Sequence, residues 1–316
     1  MPERYDTQLR TSGGTLAVAA LASVLLMAAP WVLNPYLLYV LALGCIFAMG
    51  AVGLDITAGM SGQLSLGHAG FFGLGAYAAA IGILRLGMPP WVALPAAVIA
   101  ASLAAVVIGL PLVRLRGHYL AMATLAFGLI VFDLLYTLRE FTGGGAGLAL
   151  PPSENPRLMY EVLVLATITS TIVALWLRKS WAGVVWELLR ESEPAAAANG
   201  VNVALWKLLA VIAGAAFAGL AGGLYVYVVS YVSPEPFGLP TTIFFFAALL
   251  IGGPGTVWGP ALAAMLLNAL VYALGNLLAL QEMIYGALIL LILWLFPRGL
   301  AEGRLFRLKL WKLDRG

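Results

Sequence analysis

Long apolar runs, broken at intervals by charge or by Pro and Gly, dominate the chain. Stretches free of Asp, Glu, Lys and Arg cover residues 11–54, 56–84, 86–113, 117–132, 162–177, 208–234, 236–281 and 283–297. A helix crossing a hydrocarbon core of ~30 Å needs ~20 residues, so the two longest runs hold two crossings each. They divide at Asn34-Pro35 and at Gly252-Gly253-Pro254-Gly255, where the helix must break. The pattern therefore predicts an all-α polytopic membrane bundle of about ten helices, with a range of roughly eight to ten and some of them discontinuous. They are Thr15–Leu33, Tyr36–Leu54, Gln63–Leu84, Trp91–Val113, His118–Leu138, Tyr160–Leu177, Leu208–Val232, Phe237–Gly252, Val257–Leu278 and Met283–Pro297. The sixth, eighth and tenth are short, and Phe237–Gly252 reads either as a span or as a re-entrant half-helix buried in protein.

Composition agrees with the pattern. Apolar residues make up 62% of the 316 and charged residues only 10%, against ~25% charged in soluble domains. A soluble enzyme, a nucleic-acid binder and a disordered chain are excluded, because no water-soluble fold of this size has so thin a polar shell. The charge that remains sets an orientation. Arg178, Lys179, Arg190 and Lys207 share one loop, and Arg298, Arg304, Arg307, Lys309, Lys312 and Arg315 share the tail; both clusters belong in the cytoplasm. Placing both termini inside also puts Arg4, Arg10, Arg114 and Arg116 there, leaving only Arg85, Arg139 and Arg157 of the 17 basic residues outside. The chain then divides into a cytoplasmic N-terminal segment 1–14, a membrane domain 15–297 with a cytoplasmic loop at 178–207, and a basic cytoplasmic tail 298–316. Glu3 and Asp6 ahead of the first apolar run favour an uncleaved anchor over a signal peptide. The single cysteine, Cys45, lies inside a span as core filler.

Lipid offers helices no hydrophobic reason to associate, so close packing falls to small residues. Ala210, Gly214, Ala218 and Gly222 form one stripe at four-residue spacing in the seventh span, and Ala215, Gly219 and Gly223 form another. Ser61, Ser65, Ala69 and Gly73 form a similar stripe in the third. Ionisable groups within the spans are few: Asp55, His68 and Asp133, none in an obvious acid–base pair. For His68 a neutral imidazole bonded to a neighbouring helix is the plainer reading, with a transport role as the alternative. No Walker A motif, no nucleophile elbow and no set of metal ligands at ordinary spacing is present, so the chain is expected to bind no metal or cofactor and to hydrolyse nothing itself.

The loop at 178–207 has too much pattern to be a linker. Trp181, Val184, Val185, Leu188 and Leu189 form one helical stripe, as expected of a helix lying at the membrane surface. A shorter helix follows, with Ser192 as N-cap, Glu193 and Pro194 in the first turn, Ala195 and Ala196 among its helix formers, and Gly200 as left-handed terminator. A short, rigid, exposed helix is a handle for a partner; a solvated connector is the plainer alternative.

These segments resemble a known family. Gly53-Leu54-Asp55 leads into Ser61-Gly62-Gln63-Leu64-Ser65-Leu66-Gly67-His68-Ala69-Gly70-Phe71-Phe72-Gly73-Leu74-Gly75-Ala76-Tyr77. Arg190-Glu191-Ser192-Glu193 through Gly200-Val201-Asn202-Val203 follow, then Phe217-Ala218-Gly219-Leu220-Ala221-Gly222, Ser233-Pro234-Glu235 and Gly252-Gly253-Pro254-Gly255-Thr256-Val257-Trp258-Gly259-Pro260. In this order they resemble the inner-membrane permeases of branched-chain amino-acid ABC importers, in the LivM-like branch. The resemblance implies a bacterial inner-membrane location and four kinds of partner: the lipid bilayer, a LivH-like sister permease, two ATP-binding subunits and a periplasmic substrate-binding protein. It also implies that Ser192 to Gly200 is the element that couples to the ATPase. Pro194, Ala197 and Asn199 depart from the family's usual residues there, which leaves Glu191 and Glu193 as the charged candidates. Asp55, Ser61, Gln63, Ser65, His68, Gly253 and Gly255 mark the expected substrate pathway, since broken backbone in a membrane is tolerated where protein or a cavity meets it. Leucine, isoleucine and valine are the implied substrates, with urea, amides or aromatic acids as alternatives. An ion-coupled carrier or channel is the competing class, and the scarcity of mid-membrane charge weighs against it.

Overall fold

The computed structural model describes residues 26–115, 117–152, 155–273 and 286. Most of the first predicted helix, all of the tenth but residue 286, the segment 1–14 and the basic tail 298–316 lie outside the described residues. Among the described residues, 6 helices are long and apolar enough to cross a membrane. They are α1 (Pro35–Leu54), α2 (His68–Leu86), α3 (Pro90–Leu112), α4 (His118–Thr137), α5 (Pro156–Lys179) and α8 (Val203–Val229). The two helices of the loop, α6 (Trp181–Glu191) and α7 (Glu193–Ala198), precede α8, and two shorter apolar helices follow it, α9 (Leu239–Gly252) and α10 (Trp258–Ala273). A multi-pass, all-α bundle with broken helices is therefore observed, with, among the described residues, a two-residue antiparallel ribbon that pairs Leu148 and Ala149 with Val232 and Tyr231. The number of long spans is 6 within the described residues, where the hydropathy pattern predicts about ten over the whole chain.

Several boundaries shift for local reasons. The sixth predicted helix is long, not short: Asn155 Oδ1 accepts from Leu158 N–H at 3.2 Å, Pro156 occupies the first turn, and Arg157, Glu161, Arg178 and Lys179 fall near the ends, where charge can reach water. The seventh begins earlier, capped by Asn202, whose side chain accepts from Leu205 N–H at 3.1 Å, and so takes in Lys207. The third begins only at His68. Ser61 and Ser65 thus precede α2, and the predicted four-residue stripe through Ser61, Ser65, Ala69 and Gly73 is not a helical face.

α8 lies against α1, α2 and α3. Gly214, Ala218, Gly219, Gly222 and Gly223 are all buried along it. A Cβ at Gly214 would stand 2.6 Å from the Gly53 carbonyl oxygen, and one at Gly222 would run into the backbone of Phe72 and Ala76. Gly219 and Gly223 face Ala97 and Ala101 of α3. Those two alanines belong to a buried stripe of Ala93, Ala97, Ala101 and Ala105, whose spacing was readable but is drowned among the other alanines of that run. The opposite side of α3 presents Ile99, Leu103 and Val107, exposed as lipid-facing residues are. Phe47, Phe72, Phe237, Phe244 and Phe245 pack ring against ring between α1, α2 and α9.

α9 and α10 form a hairpin whose turn reaches the end of α1 at Asp55, while Tyr272 at the far end of α10 returns to Tyr36 and Tyr39 at the start of α1. At 14 residues, α9 is only ~21 Å long, so the half-helix reading of this segment agrees with its length.

Candidate functional site

The site begins where α1 stops being regular. Past Leu54 the helix widens into a π-helix, Asp55–Met60, and every residue of it but Ala58 is buried. A π turn carries one residue more per hydrogen bond and commonly marks a position where a side chain is re-aimed. Here it aims Asp55 at the α9–α10 turn, where Oδ1 accepts from Gly255 N–H at 2.5 Å and Oδ2 from Val257 N–H at 2.9 Å. Gly59 makes the reach possible, since any Cβ there would collide with the Asp55 carboxylate and stand 2.5 Å from Gly255 N. The two amides belong to a turn with φ of +91° at Gly253, +84° at Gly255 and +64° at Val257. Left-handed backbone is unremarkable for glycine and strained for a β-branched residue, so the carboxylate holds Val257 where its own preferences would not.

The chain then runs without helix or strand from Ser61 to Gly67 with alternating burial: Ser61, Gln63, Ser65 and Gly67 inward, Gly62 and Leu64 outward. Ser61 and Gln63 are both held by hydrogen bonds. Ser61 Oγ donates to Thr57 O at 2.7 Å; Gln63 Nε2 donates to Ser61 Oγ at 2.8 Å and to the Lys207 carbonyl at 3.1 Å. Thr57 Oγ1 donates to Ala210 O at 3.2 Å, and Leu66 N–H to Thr124 Oγ1 at 3.0 Å. His68 opens α2 fully buried; its Nε2 donates to Gly50 O at 2.9 Å and its ring stands edge-on to Phe245. That is the plainer of the two sequence readings of this histidine. Asp55 thus meets the turn that holds Gly253 and Gly255, and Ser61 bonds Gln63, with Ser65 and His68 close by in the chain. An open groove lies elsewhere, along α4, lined by Leu129, Ile130, Asp133, Leu134 and Thr137.

α6 packs against the π turn and α8, and α7 packs against α6 and α8. On α6 the buried face is Gly183, Val185, Trp186 and Leu189, while Trp181 and Val184 of the predicted stripe are 73% and 43% exposed. The apolar arc is wider than one stripe: its inner part meets Ile56, Ala174 and Ala210, and its outer part is left for the headgroup boundary. Trp186 Nε1 donates to Trp206 O at 3.0 Å. At the end of α6, Arg190 Nη1 donates to Gly59 O at 2.6 Å and lies 3.5 Å from Pro254 O, joining the loop to both the π turn and the α9–α10 turn.

α7 forms as its residues dictate. Ser192 is extended (φ −163°, ψ 108°), its Oγ accepts from Ala195 N–H at 3.3 Å, and Gly200 ends the element at φ +79°. Ala196 alone of its residues is buried; Glu191, Ala195 and Ala197 are exposed. Glu193 is turned inward and paired with Lys207, whose side chain is 3% exposed. Lys207 and Arg190 carry no individual role in the sequence reading. Both count there as loop charges, Arg190 also as the first residue of a family motif, and no local spacing connects Lys207 with Glu193 or Arg190 with Gly59. Among the described residues no group of three or more His, Cys, Asp or Glu stands close enough to hold a metal ion.

Among the described residues, six membrane-length helices and a short apolar hairpin define a multi-pass membrane protein. The chain belongs to the family of branched-chain amino acid transport system permease components, whose profile matches residues 36–293. It is 32% identical over 308 residues to the high-affinity branched-chain amino acid transport system permease protein LivM of Escherichia coli, covering 88% of this chain and 72% of that one. The Salmonella typhimurium LivM is likewise 32% identical, over 81% of this chain and 67% of its own. A probable LivM of Methanocaldococcus jannaschii is 28% identical over 65% of this chain and 67% of its own. No solved structure matches the chain significantly. The chain is thus an ABC-type permease subunit of the inner membrane, a transport component and not an enzyme. Transporters of this type combine permease, ATPase and binding-protein components.

Proposed function

We propose that this subunit carries leucine, isoleucine or valine inward, and that two separate ATP-hydrolysing subunits drive it by gripping α7. The observation that carries the reading is α7 itself: a capped helix whose Pro194, Ala195, Ala197 and Ala198 are exposed, preceded by Arg190, which bonds Gly59, and tied by Glu193 to Lys207 of α8. Glu191 and the exposed faces of Ser192, Ala195 and Gly200 would meet the ATPase, while Ala196 seats the helix and Glu193 faces the bundle. The polar segment 61–67, with Gly253 and Gly255 beside it, is where backbone has freedom to shift as access alternates. A sister permease completes the pathway, and a periplasmic binding protein delivers substrate to the face carrying residues 139–155. Both termini, the α6–α7 loop and the basic tail lie in the cytoplasm, and the full chain makes about ten membrane passages when the terminal segments and the α9–α10 hairpin are included.

The test is reconstitution of the permease pair with its ATPase in vesicles, with the cognate binding protein outside. ATP-dependent accumulation of labelled leucine supports the reading. Uptake that persists without ATP, or a permease that never co-purifies with an ATPase, would favour a carrier instead.

A further inference from the structure

The pairing of Glu193 with Lys207 turns inward a residue that docking would leave outward. Lys207 is 2% exposed, in the second turn of a membrane-length helix, where an unpaired ammonium would be expelled or neutralised. Its ammonium is paired with Glu193, the first residue of α7. The Lys207 carbonyl also accepts from Gln63 Nε2 at 3.1 Å. One residue of α8 is therefore held by α7 through its side chain and by the 61–67 segment through its backbone.

α7 also meets the bundle at the buried Ala196, through a single methyl. Such a contact resists compression but does little against sliding, whereas a charge-assisted hydrogen bond has a direction and resists both pull and push. Arg190, just ahead of α7, is fixed to Gly59 and beside Pro254, on the side of α1 and the hairpin. Glu193 is fixed to Lys207, on the side of α8. The handle is thus tied to two different parts of the bundle. The α8 side is a 27-residue rod whose glycines lie against the backbones of its neighbours, so it can transmit a shift along its length.

We propose that the Glu193–Lys207 pair is the joint that passes movement of α7 into α8 and the 61–67 segment, making both residues positioning residues for coupling rather than contacts for the ATPase. This rests on α7 being the ATPase handle. In the assembled, reconstituted transporter, uptake per ATP hydrolysed is measured for Glu193→Lys, Lys207→Glu and the double reversal. Each single reversal is expected to lower the ratio roughly tenfold, within the usual span of coupling between sites, and the double reversal to recover most of it. Single reversals with the wild-type ratio, or a double reversal no better than the singles, overturn the joint. Where the single reversals do not assemble, Glu193→Gln combined with Lys207→Met removes both charges without stranding either in the interior. A lowered ratio in that variant supports the joint; an unchanged ratio at any yield, or failure of every variant to assemble, assigns the pair to folding alone. Ala197→Arg, at the exposed side of α7, separates the two claims. If it leaves ATPase association and stimulated hydrolysis intact, the handle reading is what fails. If it abolishes association while the reversals leave the ratio unchanged, only the joint fails.

Discussion

At the scale of single residues, Asp55 shows how much one carboxylate organises. It ends α1, yet its two oxygens accept from the amides of Gly255 and Val257, some 200 positions further along the chain. Asp55→Asn would place an amide donor against one of two N–H donors. Breaking a buried, charge-assisted bond in this way costs about 1–3 kcal/mol, and here it also releases the strained Val257. The purified variant is expected to melt several degrees below the wild type in detergent, and an equal melting temperature would show that the turn keeps its shape without the carboxylate. His68 is a different case. Bonded to Gly50 O and walled by Phe71 and Phe245, it is part of the core, so His68→Gln, which retains an amide donor, is expected to keep more than half of the uptake while His68→Leu loses stability.

At the scale of elements, two glycines test two different demands. Gly214 needs its missing side chain, because any Cβ would press on the Gly53 carbonyl and on Thr57. Gly214→Val is expected to destabilise the permease by about 1–3 kcal/mol through overpacking, read as lost thermal stability and lost uptake together. Gly200 needs only its backbone: a Cβ there meets nothing within 4 Å, but φ is +79°. Gly200→Ala is expected to cost about 1 kcal/mol, to fray the end of α7 without disturbing the bundle, and to lower hydrolysis stimulated by the loaded binding protein. Stimulation at the wild-type level would count against α7 as the handle.

At the scale of the whole molecule, the topology makes a claim about sides. The α6–α7 loop and the ribbon at Leu148–Ala149 stand at opposite ends of α5 and of α8. In a Cys45→Ala background, a membrane-impermeant thiol reagent applied to intact cells is expected to label Ala149→Cys and to spare Ala197→Cys until the membrane is opened. The reverse pattern would put the handle beyond the reach of any cytoplasmic motor.

The sequence by itself determined the solvent of this protein, most of its helices and the outline of α7. Hydropathy runs, caps such as Ser192, and breakers such as Gly253 and Gly200 act through neighbours a few residues away, and such effects are written in local spacing. It also showed the small-residue faces of α8, because four-residue periodicity is itself a local property. What the tertiary structure decided is who meets whom. The π turn that re-aims Asp55, the reach of Arg190 to Gly59, the burial of Lys207 against Glu193 and the inward face of α6 all depend on partners far away in the chain. Polar groups removed from water must find partners wherever the fold brings them, and no spacing along the chain names those partners in advance.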